Sequence, residues 1–178
     1  ETLLVHGAAG GVGTAAVQLG GAAGARVIAT VRNPDNREAV AALGADQVIA
    51  PESFAGPGPF DVIIELVGAG NLADNVRSLT SGGRIVVIGV GAGATGELDL
   101  RALMIKRGRI SASMLRARPL EEKAVLARQI EKRVLPMVTA GRIRVPVAAT
   151  FGLDEAAAAY DLFQAGGKFG KIVLIPAG

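Results

Sequence analysis

At 178 residues, half of them hydrophobic, the chain is long enough to bury a substantial core as one domain with an appendage. The absence of cysteine removes disulfides, thiolate-ligated zinc and a thiol nucleophile, and a single histidine rules out a histidine-rich metal site. A net charge of +3 with only five Phe and one Tyr gives no ground for a nucleic-acid partner, and no apolar run nears the length of about 18 residues that a membrane span needs, so the expectation is a cytoplasmic protein.

Residues 3–5 form a short apolar run that passes through Gly7, Ala8, Ala9, Gly10, Gly11, Val12 and Gly13 into residues 14–19, where apolar positions take helical spacing. Strand, glycine turn and helix is a layout for binding phosphate, because a helix start carries unpaired N–H groups and partial positive charge, and small residues let a diphosphate approach the main chain. Against the dinucleotide pattern G-x-G-x-x-G, Gly13 is the last glycine, Gly10 the middle one, and Ala8 stands at the first position. His6, just before the turn, reads as a packed or hydrogen-bonded structural histidine rather than a catalytic one.

A second buried strand is expected over residues 26–31. Dinucleotide sites selective for NAD carry Asp or Glu near its end to accept from the ribose 2′-OH. Here Arg32 stands directly after the strand and Arg37 about a turn further on, fork-shaped donors suited to a 2′-phosphate, which favours NADPH over NADH. Asp35 is a weaker candidate, because Pro34 is expected to start a helix over residues 34–43 and leave that carboxylate in its first turn.

Residues 46–50 read as a third strand, and 51–59, with three prolines and two glycines, as a loop. The fourth strand is expected over 60–67, ending at Gly68 and Gly70. Asn71 should cap a helix carrying Leu72, Val76 and Leu79 on one face, which Ser81, Gly82 and Gly83 end. A fifth strand over 84–88 closes at Gly89 and Gly91. Glycine turns at equivalent ends of successive parallel strands would form one rim, where ligands of open α/β sheets sit. A helix from Asp99 to Lys106 and a sixth strand over 109–115 complete the alternation. The fold expected is α/β, a doubly wound Rossmann-type parallel sheet of six strands.

Beyond Pro119 the pattern changes to a long helix striped with Leu120, Ala124, Ala127 and Ile130, broken or kinked at Pro136, then a strand over 145–151, a helix over 153–163 and a last strand over 171–175. These strands have no slot in the six-stranded sheet and point to a partner domain. The chain opens at Glu1 almost inside a central strand, so it is expected to be a portion of a longer protein.

The run Gly7 to Leu19, the run Ser81 to Gly89 and the ending Gly170-Lys171-Ile172-Val173-Leu174 resemble the medium-chain dehydrogenase/reductase superfamily, and within it the zinc-independent, zeta-crystallin-like NADPH:quinone oxidoreductases. Residues 103–118 resemble a subset of those reductases. The resemblance implies a cofactor domain over 1–118 and, over 119–178, a segment of the catalytic domain whose amino-terminal, GroES-like part is missing. It implies that Ala9, Gly10, Gly11 and Val12 hold the diphosphate, Arg32 the 2′-phosphate, and Asn71 the ribose or adenine side. Gly89, Val90 and Gly91 would lie along the nicotinamide half, with Ser113, Met114 and Leu115 supporting its amide through backbone groups. It further implies a homodimer through the sixth strand, residues 109–115, and no metal.

The expected activity is hydride transfer from NADPH to a quinone or other conjugated carbonyl, with no catalytic side chain in this portion and little activity from it alone. Tyr160 lacks the lysine four residues on that a short-chain dehydrogenase would need, that position being Gln164. Two alternatives stand beside this reading: a non-catalytic nucleotide-sensing module, and an enoyl reductase module of a larger synthase.

Overall fold

The computed structural model describes residues 1–176. Strand β1 (Thr2–Val5) lies inside the sheet, with β2 (Arg26–Thr30) parallel on one side and β4 (Phe60–Glu65) parallel on the other. β3 (Gln47–Ile49) extends the sheet beyond β2, and β5 (Leu79–Val87) and β6 (Arg109–Ala112) extend it beyond β4, giving the order β3-β2-β1-β4-β5-β6, all parallel. The direction of build-up reverses between β1 and β4, which opens a crevice outside their carboxyl ends.

Alternation along the strands feeds two cores. Leu3, Val5, Val27 and Ala29 point to one face, where they meet Val17 of α1 (Gly11–Ala22) and Val40 of α2 (Arg37–Ala41). Leu4, Ile28, Ile63 and Ile85 point to the other, with Phe54, Phe60 and Val76 of α3 (Leu72–Arg77), and Leu103 of α4 (Leu100–Lys106) packs against them. Complete burial of aliphatic side chains at about 1.5–3 kcal/mol each makes this double-faced sheet the main source of stability.

Several element boundaries differ from expectation. Helix α1 begins at Gly11 rather than Thr14. Pro34–Asn36 is a 3-10 turn that Asn33 caps by accepting from the Asp35 amide, so α2 starts only at Arg37. The loop after β3 contains another 3-10 turn, Pro51–Ser53, which carries buried Phe54 into the core. Leu79 is not on α3: that helix ends at Arg77, and Leu79 opens β5 opposite Phe60. Ser81, Gly82 and Gly83 therefore sit in a register break of β5 rather than at a helix end, because burying Leu79 against Phe60 in the strand outweighs two more residues of helix. β4 stops at Glu65, β5 at Val87, and β6 at Ala112 rather than 115.

The remaining residues form α5 (Leu120–Arg133) and α6 (Leu135–Thr139), with Pro136 in the first turn of α6, where its missing N–H costs nothing. A separate two-stranded parallel sheet pairs β7 (Val147–Gly152) with β8 (Lys171–Ile175), connected by α7 (Ala156–Ala165). It docks at the start of α1. The Gly170 amide donates to the Ala9 carbonyl at 2.9 Å, and Gln18 clasps Arg144 by accepting from its amide at 2.8 Å and donating to its carbonyl at 2.9 Å.

Candidate functional site

The turn after β1 is built for close approach to its main chain. Gly7 has φ +61°, and a Cβ on Gly13 would lie 2.4 Å from the Gly7 carbonyl oxygen and 2.6 Å from the Ala8 Cα, so only glycine lets α1 start this near the strand. Gly10 has no side chain to cap α1, and the first helical bond runs from the Thr14 amide to the Gly10 carbonyl. The amides of Gly11, Val12 and Gly13 thus lead the helix without a helical acceptor. Lys171 extends over this start; any Cβ on Gly11 would collide with its Cε and Nζ.

Beside the turn lies a crevice of about 330 Å³. It is lined by His6, Gly7, Ala9 and Gly10 from the end of β1 and its turn, and by Thr30, Val31, Arg32, Asn33 and Asn36 from the end of β2 and beyond. Val67 and Asn71 contribute from the turn after β4, and Pro51 from the loop beyond β3. The loop between α7 and β8 closes the rim with Gly167 and Lys168, held because the side-chain amides of Asn33 and Asn36 donate to the Gly167 carbonyl at 3.3 and 2.8 Å.

The polar floor is one connected network. His6 is 1% exposed, with its Nε2 2.8 Å from Asn75 Oδ1 and its Nδ1 3.3 Å from Thr30 Oγ1. Because the Asn75 amide nitrogen donates to Glu65 Oε2 at 2.8 Å, Asn75 Oδ1 must accept, so the His6 proton is assigned to Nε2 and Thr30 donates to Nδ1. Burial, the largest influence, holds the His6 pKa below its ordinary value; the nearby Glu65 carboxylate and the Asn75 bond pull the other way. The ring is therefore neutral, and it packs edge-on against Phe54 with centroids 4.7 Å apart. Glu65 completes the network by accepting from the Val67 and Gly68 amides at 2.7 and 2.9 Å and from Asn71 at 3.1 Å. Among the described residues, no buried side-chain nitrogen or oxygen lacks a partner.

Of the residues singled out in the sequence, Ala9, Gly10, Arg32 and Asn71 meet in this crevice, and Gly11, Val12 and Gly13 stand at its edge as the first turn of α1. Arg37 does not line it; its Nε donates to the Val31 carbonyl at 3.4 Å, steadying the end of β2. Asn71 does not cap α3 with its side chain: the 3-10 turn Ala69–Asn71 leads straight into the helix with Asn71 already in the α conformation, and its amide nitrogen donates to the buried Glu65 carboxylate. Gly68 and Gly89 join the turns of β4 and β5. A Cβ on Gly68 would lie 2.6 Å from the Gly93 carbonyl oxygen, and one on Gly89 equally near that of Leu66, while the Ala69 and Ala92 amides bond across. Val90 and Gly68 face a second cavity of about 360 Å³ between α3, α4 and β5, and Gly91 is open on its outer side. Ser113, Met114 and Leu115 follow β6 and do not line this crevice: Met114 and Leu115 are exposed, and Ser113 Oγ accepts from Arg118.

Sequence reading passed over Glu65, Asn75 and Thr30 beneath the crevice, and Gly167 and Lys168 above it. Glu65 carried a usable signal, a carboxylate inside the apolar run from Phe60 to Val67, where buried charge needs partners. Lys168 carried none, because it is distant in sequence and reaches the rim only through the docking of the second sheet.

The sequence profile of a family described as zinc-binding dehydrogenases matches residues 11–131. This chain belongs to the zinc-binding dehydrogenase family. Its resemblance to the medium-chain dehydrogenase/reductase superfamily, and to quinone oxidoreductases in particular, holds at the level of whole-chain similarity. It is 31% identical to the quinone oxidoreductase of Rattus norvegicus over 98% of its own length and 54% of the relative's, and 32% identical to the acryloyl-coenzyme A reductase of Metallosphaera sedula over 98% and 50%. A solved mycobacterial protein complexed with NADPH superposes with a TM-score of 0.82 at 26% identity, covering 99% of this chain and 56% of that one. The chain spans about half the length of the curated relatives it matches. Zinc is implied by the family's description alone: among the described residues no group of three or more His, Asp or Glu side chains is placed to hold a metal, and the chain has no cysteine. No helix among the described residues is long and apolar enough to cross a membrane.

Proposed function

We propose that this chain is the dinucleotide-binding portion of an oxidoreductase that uses NADPH to reduce a quinone or another conjugated carbonyl. The observation that carries the reading is the continuity between the free amides at the start of α1 and the crevice that ends at Arg32. A diphosphate accepts from main-chain amides and gains from the helix dipole, and the space a Gly13 Cβ would fill is where the helix and turn must stay close. The residues present therefore fit a dinucleotide.

In this assignment the Gly11, Val12 and Gly13 amides bind the diphosphate, with Lys171 supplying positive charge above them. Arg32 binds the 2′-phosphate, and Lys168 on the facing rim adds a second cation. Gly89, Val90 and Gly91 lie along the nicotinamide half, and backbone groups of 113–115 support its amide in the assembled protein. A bound nicotinamide supplies the hydride, so the protein's task is to orient the nucleotide and exclude water, with no acid, base or metal from this portion. Conjugated carbonyls include both quinones and enoyl thioesters, and the names of the two relatives cover both kinds. Residues 119–178 then belong to the substrate side and require a further domain, and β6, with every residue exposed, is the edge through which two copies pair.

Titration with NADPH and NADH tests the assignment. Arg32→Ala should weaken NADPH by about tenfold or more while leaving NADH nearly unchanged, as expected for loss of a charge-assisted contact worth about 1.5–3 kcal/mol. Equal affinity for the two nucleotides, insensitive to the substitution, would remove Arg32 from the site.

A further inference from the structure

We propose that Glu65 is a positioning residue for the nucleotide site, and that it does so by holding the Asn71 side-chain amide in one orientation, nitrogen against the carboxylate and carbonyl oxygen turned to meet a ligand. The inference rests on the nucleotide reading and says which kind of group Asn71 can recognise. Glu65 is 3% exposed, and its two oxygens divide their work. Oε1 accepts from the main-chain amides of Val67 and Gly68, which fixes the turn after β4. Oε2 accepts from the amide nitrogens of Asn71 and Asn75.

A carboxylate with four donors around it has nothing to donate. If the Asn71 amide turned over, its oxygen would face Oε2 and two acceptors would be opposed in a site of low polarity, where unpaired polar groups are costly. One N–H of Asn71 Nδ2 is therefore committed inward, which fixes the amide with Oδ1 as the acceptor that Asn71, a crevice-lining residue, can offer. An acceptor in that place selects a donor. On a dinucleotide the donors beside the diphosphate are ribose hydroxyls, so Asn71 Oδ1 accepts from a ribose hydroxyl. Asn75 ties the same carboxylate to His6, and so joins the turn after β4 to the turn after β1.

The test is a double-mutant cycle on the whole chain, read as NADPH affinity. Glu65→Gln places an N–H where an acceptor is needed and should weaken NADPH by about tenfold; in an Asn71→Ala background the same change should cost less than about twofold, because coupled residues are not additive. Equal losses in both backgrounds would reduce Glu65 to a structural role and overturn the inference. A second measurement on the unaltered protein covers the case in which Glu65→Gln does not fold. On adding NADPH, the Asn71 Nδ2 proton bonded to Glu65 should keep its resonance position while the Cγ resonance moves; the reverse pattern would overturn the inference. Failure of the unaltered chain to bind NADPH at all would overturn the nucleotide reading itself, an outcome distinct from the other two.

Discussion

The six-stranded sheet and the region beyond it are stabilised in different ways. In the first, Leu4, Val5, Val27, Ile28, Phe60, Ile63 and Ile85 have no exposure, and helices or loops cover both faces. In the second, the buried apolar residues among those described are Ile143 and Ala159, whereas Leu120, Val125, Leu135, Val147 and Phe163 are half exposed or more. Two strands with a short connecting helix cannot enclose a core, so this region takes its position from docking on α1 and the turn before it, through Gln18 with Arg144 and Ala9 with Gly170. The docking also brings Lys168 to the lining of the crevice and Lys171 over the start of α1.

Substitutions should reproduce this contrast. The largest effect is expected from Phe60→Ala, which empties a fully buried site and should cost about 3–5 kcal/mol in denaturant unfolding. If the loss were below about 1 kcal/mol, the sheet would not be the stabilising unit described. Next is the pH dependence set by His6. Its pKa is depressed in the folded state, so the unfolded chain binds the proton more readily. This contribution is whole above the ordinary histidine pKa of 6.5 and is lost as pH falls through the folded value. Stability should decline on acidification below that point, and His6→Asn should flatten the decline; an unchanged slope in the variant would assign it to other groups.

A smaller effect should follow Gln18→Ala. Two hydrogen bonds at about 0.5–1.5 kcal/mol each are lost between the regions, and hydrogen exchange at the Arg144 amide should accelerate while exchange in β1 and β2 stays the same. Uniform acceleration throughout would mean that the two regions unfold as one. The smallest effect is expected for Leu120→Ala, at a residue 76% exposed, with a change within about 0.5 kcal/mol. A clear destabilisation there would show that α5 is covered in solution, as a partner for the second region would require.

Much of the fold was legible because its signals are local. Six apolar runs with β-branched residues, separated by glycine turns and amphipathic segments, specify alternating strands and helices, and Gly7 to Gly13 marks the turn that faces the crevice. Boundaries were less legible where a residue had competing options. Leu79 suits helical spacing with Leu72 and Val76, yet it is buried just as well by opening β5 against Phe60, and nothing local distinguishes the two. Asn71 suits a cap, but its amide goes to a carboxylate that comes near only after β4 has turned. The 3-10 turn ahead of α2, and with it the bond from Arg37 Nε to the Val31 carbonyl, was equally hidden.

The amino-acid order by itself determined the parallel sheet, the glycine-rich start of α1 and the cation at the end of β2, because each follows from spacing over a few neighbours. Only the tertiary structure decided that Glu65, Asn75, His6 and Thr30 form one network, and that Lys168 and Arg32 line one crevice. Those contacts join residues far apart in the chain, and their partners are chosen by the packing of three strand ends and a docked sheet, which no short stretch of sequence encodes.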